Sequence, residues 1–197
     1  MVQSFNLSAI ISAFRLIVQP SLAVPHLVVT DIRHINFSSL KSSGFRALAF
    51  DKDNCLTAPY QSKVYSPFQG AWDDCKAIFG AENIVIVSNS AGTRDDVGGK
   101  QKPSGGAALL TYFRAHPPDT LVVIGDRLLT DIVYGNSVGA FTVLTRQVVS
   151  EKGDNPAAMV IRRWEHRLLD RFTQLRITPP PHPSDNQLDK STLVKAA

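Results

Sequence analysis

The sequence predicts an α/β protein with an open parallel sheet and helices on both faces. Two observations carry this prediction. Four short apolar runs, at 46–50, 84–87, 121–124 and 141–144, have the unbroken hydrophobicity of strands buried on both faces. Helix-compatible stretches fit between them, around 68–79, 103–115 and 129–138, and strands alternating with helices signal a sheet covered on both sides. Ligands bind such sheets at the carboxyl ends of the strands, so the residues following each run are the candidates for function.

Taken in chain order, residues 1–44 read as an amphipathic N-terminal arm. Leu7, Ile10, Ile11, Phe14 and Ile17 recur at helical spacing, Ser8, Ser12, Arg15 and Gln19 fall largely off that stripe, and Pro20 ends the helix. The stripe suits packing on the domain or on another subunit, or burial in a membrane interface. Residues 45–145 hold the strand and helix alternation and form the core. Residues 146–176 read as a basic C-terminal helix, with Asn155 as N-cap and Pro156 at the first helical position. Its apolar stripe is Ile161, Trp164, Leu168, Phe172 and Leu175, and Arg162, Arg163, Arg167 and Arg171 fill the rest of the wheel. That basic surface is either a solvated face or a contact for an anionic surface. From residue 177 onward, Pro179, Pro180, Pro181 and Pro183 precede a polar stretch, the composition of a disordered tail.

Composition narrows the class. With 197 residues and 44% hydrophobic side chains, one domain with appendages is expected and a wholly disordered chain is excluded. Two cysteines, Cys55 and Cys75, rule out a disulfide framework or a four-cysteine zinc site and favour a reducing compartment. No run reaches the ~18–20 apolar residues of a membrane span, and no basic segment precedes the first apolar run as in a secretory signal. The net charge of +4 leaves nucleic acid, anionic lipid and phosphorylated substrates all open.

The chemistry lies at the strand ends. Asp51-Lys52-Asp53 closes the first run, and two carboxylates so placed are costly together unless a cation holds them. Oxygen ligands beside a phosphorylated substrate suit Mg2+. Ser88-Asn89-Ser90 follows the second run, where a hydroxyl and backbone N–H groups fit a phosphoryl oxygen. Lys102-Pro103 opens the next helix, and its lysine can offset negative charge. Asp126 follows the third run, and Asp131 lies about one turn into the helix after it.

In this order, Asp51-x-Asp53, Ser88, Lys102 and Asp126…Asp131 resemble the four motifs of the haloacid dehalogenase-like phosphatases. Within that superfamily, Asp51 to Tyr60 (DKDNCLTAPY), Val87 to Gly92 (VSNSAG) and Gly125-Asp126…Thr130-Asp131 are similar to the fungal mitochondrial phosphatidylglycerophosphate phosphatases and their bacterial relatives. Pro20-Ser21-Leu22, Pro25-His26 and Leu40-Lys41 extend that likeness into the arm. The resemblance implies a Rossmann-like open parallel sheet of the haloacid dehalogenase type. It makes Asp51 the nucleophile, Asp53 the general acid and base, and Ser88, Asn89 and Lys102 the groups that hold phosphoryl oxygens. It assigns Mg2+ to the Asp51 carboxylate, the Asp53 backbone carbonyl and Asp126, with Asp131 behind them orienting Lys102 or a metal-bound water.

Three features depart from the superfamily pattern. Cys55 stands where Thr or Val is usual and reads as a small buried residue. No insertion long enough for a cap domain lies between Thr57 and Ile84, so the site is expected to be uncapped. Only 13 residues run from Asn89 to Gln101, where the superfamily places a helix and a further strand, so 95–100 is expected to be a loop left by a deletion near Gly98-Gly99.

The resulting expectation is a Mg2+-dependent phosphatase that converts phosphatidylglycerophosphate to phosphatidylglycerol in the cardiolipin pathway. It would act peripherally on the matrix side of the mitochondrial inner membrane. Its partners would be the lipid substrate and an anionic membrane surface, with no nucleic acid expected and a homo-oligomer left open. The alternatives are the same chemistry on a soluble phosphomonoester or a nucleic-acid 3′-phosphate, or a non-catalytic membrane-surface protein on this fold.

Overall fold

The computed structural model describes residues 18–59, 61–87, 100–101, 106–147, 149 and 156–195. Among these residues, six strands form one sheet: β1 (Leu27–Val29), β2 (Ala47–Asp51), β3 (Ile84–Val87), β4 (Lys100–Gln101), β5 (Leu121–Gly125) and β6 (Phe141–Thr145). Their order is β1-β6-β5-β2-β3-β4 and every pairing is parallel. Among the described residues, five α-helices accompany them in full: α1 (Phe37–Ser42), α2 (Gln69–Phe79), α3 (Gly106–Tyr112), α4 (Val133–Ser137) and α5 (Pro156–Gln174).

Side-chain alternation explains why the strand sequences are apolar throughout. Leu48 and Phe50 of β2, Ile84 and Ile86 of β3, and Val122 and Ile124 of β5 face one side, where Trp72, Cys75 and Phe79 of α2 cover them. Ala47, Ala49, Val85, Leu121 and Val123 face the other and meet Leu109 of α3 and Phe113 just beyond it. With both faces covered there is no solvent side to demand polar residues. Gly135 lets α4 lie close on the sheet, since a Cβ there would sit 2.5 Å from Thr142 Cγ2.

Three expectations are corrected. The segment assigned to the N-terminal arm supplies part of the core from Leu22 onward. β1 pairs with β6, and α1 buries Phe37 and Leu40. The run is too short for periodicity to reveal, because an edge strand needs only one partner. The segment read as a loop ends in β4, whose Lys100 and Gln101 pair with Val85 and Ile86, so a two-residue strand does fit. The tail is ordered. Short 3-10 turns form at Pro183–Asn186 and Lys190–Leu193, Leu193 is fully buried in the main core, and Val194 bridges Ile35. Prolines that restrict φ before folding reduce the entropy lost on docking, and backbone bonds from Asn36 N–H to the Leu193 carbonyl (2.8 Å) and from Lys195 N–H to the His34 carbonyl (2.8 Å) hold the segment.

The tail also closes a buried polar network. The Thr142 N–H donates to His26 Nδ1 at 3.1 Å, so Nε2 carries the proton and donates to the Pro180 carbonyl at 3.1 Å. Thr142 Oγ1 donates to Asn136 Oδ1, whose amide nitrogen reaches the carbonyls of Leu22 and Val24. Burial lowers the His26 pKa to about 4 and keeps the ring neutral.

Candidate active site

From β2 the chain continues to β3 and β4 on one side, whereas β5, β6 and β1 lie on the other. The reversal falls between β2 and β5, and the crevice beyond their carboxyl ends is where such a sheet binds a ligand. Asp51 is the last residue of β2, and Asp126 follows the last residue of β5.

After Asp51 the backbone turns sharply. Leu56 and Thr57 N–H groups both donate to the Lys52 carbonyl at 3.0 Å, the Asn54 N–H donates to the Thr57 carbonyl at 2.8 Å, and Asn54 adopts the left-handed conformation at φ 67°. Asn tolerates that conformation better than most residues. The turn brings Asp53 against Thr57. Among the described residues, 58–68 hold only turns and one 3-10 turn, with no cap domain before α2.

After β5 the chain passes through Asp126 and Arg127 into a π-helical turn, Leu128–Ile132, that leads into α4. Single π turns recur at functional sites because the extra residue redirects side chains. Here the turn is fastened by Asp131 itself, which accepts from the Arg127 N–H at 3.0 Å and from Thr130 Oγ1 at 3.1 Å. Gly125 makes room for it, because a Cβ there would sit 2.5 Å from Asp131 Cγ.

Ligand oxygens of Asp51, Asp126 and Asp131 all lie within 4.8 Å of one another. Two unit charges at that distance repel by about 3 kcal/mol at an effective dielectric constant of ~20. Burial pushes the Asp126 and Asp131 carboxyls up, and the charge of Asp126 pushes Asp131 further. A cation would reverse both effects. Asp126 is 1% exposed, and its Oδ1 has no hydrogen-bond partner among the described residues, so a carboxylate oxygen is left for a ligand. An all-oxygen donor set of this kind fits Mg2+.

The structure therefore brings Asp51, Asp126 and Asp131 together. Asp131, expected behind the cation ligands, offers an oxygen within the same 4.8 Å group, and the Asp53 carboxylate is outside this group. Ser88, Asn89 and Lys102 lie outside the described residues. Cys55 is buried against the Ile124 carbonyl, and burial pushes its thiol well up, as befits a packing residue and not a nucleophile.

Two residues of α5 join the site without having been foreseen. Arg162 places Nε and Nη2 on Asp126 Oδ2 at 2.9 and 2.8 Å. Glu165, 1% exposed, accepts from Arg127 Nε at 3.3 Å and from the Leu129 N–H at 3.2 Å. With Leu169 they form the buried face of α5. The expected arrangement holds only in part: Leu168 and Phe172 of the apolar stripe pack against the core, but Ile161, Trp164 and Leu175 are exposed, and Arg162 of the basic surface is buried. The one acid aligned with Arg162 at i, i+3 was the available signal.

These carboxylates at the tips of adjacent parallel strands fit the family that the sequence itself matches. Mitochondrial PGP phosphatases match over residues 7–102 and 98–150. The chain belongs to the mitochondrial PGP phosphatase family. Its two matched pieces meet at 98–102, where the connection into β4 is short. Among relatives in this family, the chain is 37% identical over 181 residues to phosphatidylglycerophosphate phosphatase 1, chloroplastic, of Chlamydomonas reinhardtii, covering 82% of this chain and 66% of that protein. It is 34% identical over 201 residues to phosphatidylglycerophosphate phosphatase 1, chloroplastic/mitochondrial, of Arabidopsis thaliana, covering 91% of this chain and 57% of that one. It is 29% identical over 187 residues to the mitochondrial phosphatidylglycerophosphatase GEP4 of Saccharomyces cerevisiae, covering 84% of this chain and 97% of that protein. The chain thus spans less than two thirds of the algal and plant relatives and nearly all of the yeast one. No solved structure matches the chain.

Proposed function

We propose that this chain is a Mg2+-dependent phosphatidylglycerophosphate phosphatase, hydrolysing the terminal phosphomonoester to leave phosphatidylglycerol, the cardiolipin-pathway step, at an anionic membrane surface. The observation that carries the proposal is the convergence of Asp51, Asp126 and Asp131 at the ends of β2 and β5, in a chain of this family. An Asp51 oxygen attacks phosphorus as Asp53 gives a proton to the departing alkoxide, which leaves an aspartyl-phosphate. Asp53, now a carboxylate, takes a proton from water, whose oxygen attacks phosphorus and frees Asp51 with inorganic phosphate. Ser88, Asn89 and Lys102 hold phosphoryl oxygens. Asp51, Asp126, Asp131 and the Asp53 carbonyl would hold Mg2+, which offsets charge on the phosphoryl oxygens when bound.

The outer face of α5 supports a lipid surface. Val160 and Trp164 are 65% and 61% exposed, with Ile161 and Leu175 also exposed, and Arg163, Arg167 and Arg171 beside them reach solvent. Apolar side chains flanked by arginines give the two contributions, insertion and charge, that reversible membrane binding requires. No described helix is long and apolar enough to cross a membrane. The names of the fungal relatives favour the mitochondrion, and we place the enzyme peripherally on the matrix side of its inner membrane.

The test is phosphate release from phosphatidylglycerophosphate in mixed micelles with Mg2+, with EDTA, and with Asp51→Asn. Release is expected with Mg2+ alone and should be lost in the other two cases. Undiminished release by Asp51→Asn would refute the mechanism, and turnover of a small phosphomonoester without turnover of the lipid would refute the substrate.

A further inference from the structure

We propose that Arg162 is a positioning residue for the cation site: from α5 it grips one oxygen of Asp126 and reserves the other for the cation. This rests on the reading of Asp51, Asp126 and Asp131 as that site. Both guanidinium contacts, Nε at 2.9 Å and Nη2 at 2.8 Å, fall on Oδ2, and Oδ1 is the oxygen without a partner among the described residues. A carboxylate held through one oxygen cannot rotate freely about χ2, so its second oxygen is presented in a fixed direction.

The grip depends on how α5 is seated. One turn on, Glu165 joins Arg127 and the Leu129 N–H, which belong to the same loop that carries Asp126 and Asp131. Leu169, 2% exposed, packs with Leu128 and Ile132 of the π turn. Arg162 is therefore held by a helix anchored at two further points, and a cation can approach Oδ1 without displacing it. Partners of this kind, which orient a metal ligand, typically change metal affinity by 10–100-fold when removed.

A competing role predicts the opposite sign. Were Arg162 a stand-in that occupies the cation's place, its removal would tighten binding. The measurement is Mn2+ affinity of the EDTA-stripped full chain without substrate, by electron paramagnetic resonance, for the parent, Arg162→Ala, Arg162→Lys and Glu165→Gln. Thermal melting of each variant accompanies it. The expected result is roughly 10–100-fold weaker Mn2+ binding by Arg162→Ala, partial recovery in Arg162→Lys, and a smaller loss in Glu165→Gln. Should Arg162→Ala not fold, the lysine variant carries the test, because it keeps the charge but loses the planar two-nitrogen grip. Unchanged or tighter binding in the folded variants overturns the inference. Failure of the parent itself to bind Mn2+ overturns the cation-site reading beneath it.

Discussion

Leu193 turns the ordered tail into a measurable quantity. Its side chain is 0% exposed within the main core cluster, near the end of a stretch whose composition reads as disorder. Leu→Ala in a filled core costs about 2–5 kcal/mol, from lost transfer free energy and the cavity left behind. A domain of this size loses roughly 2–4 °C of melting temperature per kcal/mol, so a cost of about 3 kcal/mol lowers the midpoint by roughly 6–12 °C. Leu175→Ala is the matched control, because Leu175 is 56% exposed and surface truncations stay within about 0.5 kcal/mol. Thermal unfolding followed by circular dichroism compares the two. If Leu193→Ala melts with the parent and with Leu175→Ala, the tail is not docked and the account of its packing is wrong.

Three other outcomes follow from the geometry. His26 is held neutral at a pKa lowered from 6.5 to about 4, so between those values the unfolded chain binds more protons and stability falls as pH falls. The loss reaches about 3 kcal/mol by pH 4, and denaturant titrations at pH 7.5 and 4.5 should show most of it in the parent and little in His26→Gln. Gly125→Ala forces a methyl against Asp131 and should lower phosphate release at least tenfold, with a stability cost of about 1–3 kcal/mol measured by urea unfolding. Trp164→Ser with Val160→Ser removes exposed apolar area only. Sedimentation with vesicles containing anionic lipid should show weakened binding, while the melting temperature holds within about 2 °C.

The strands around the site were legible because burial on both faces leaves a simple mark. Val122, Val123 and Ile124 have no reason to alternate when α2 covers one side and α3 the other. Asp51 and Asp126 were legible because strand ends are where a parallel sheet can expose charge to a ligand. The edges were not. β4 offers Lys100 and Gln101, polar residues that pair with β3 through the backbone, and β1 contributes three residues between Pro25-His26 and a turn. Backbone pairing leaves no trace in side-chain hydrophobicity. Leu193 was hidden because one apolar residue amid proline and polar neighbours has no period, and its burial depends on α1 and the residues before it, far back along the chain. Arg162 was hidden for an electrostatic reason: on a helix rich in arginine, only the location of Asp126 distinguishes the one that turns inward. The same pairing leaves Ile161, Trp164 and Leu175 facing outward, since α5 is seated by charge and by Leu168, Leu169 and Phe172.

The pairing of β1 with β6 sets a timetable. Leu27 meets Val143, so β1 must wait for its one partner among the described residues until a stretch of more than half the chain's length has followed it. Across the 116 residues that also separate His26 from Thr142, synthesis at about 5–20 residues per second imposes a delay of roughly 6–23 s. Throughout that interval Leu27 and Val29 belong to an unpaired apolar strand, open to whatever edge it encounters first. The nascent chain is therefore most vulnerable at its amino-terminal side while its catalytic strands are already being laid down. Slowing translation just before Phe141 should raise the yield of aggregate more than the same pause placed after Thr145.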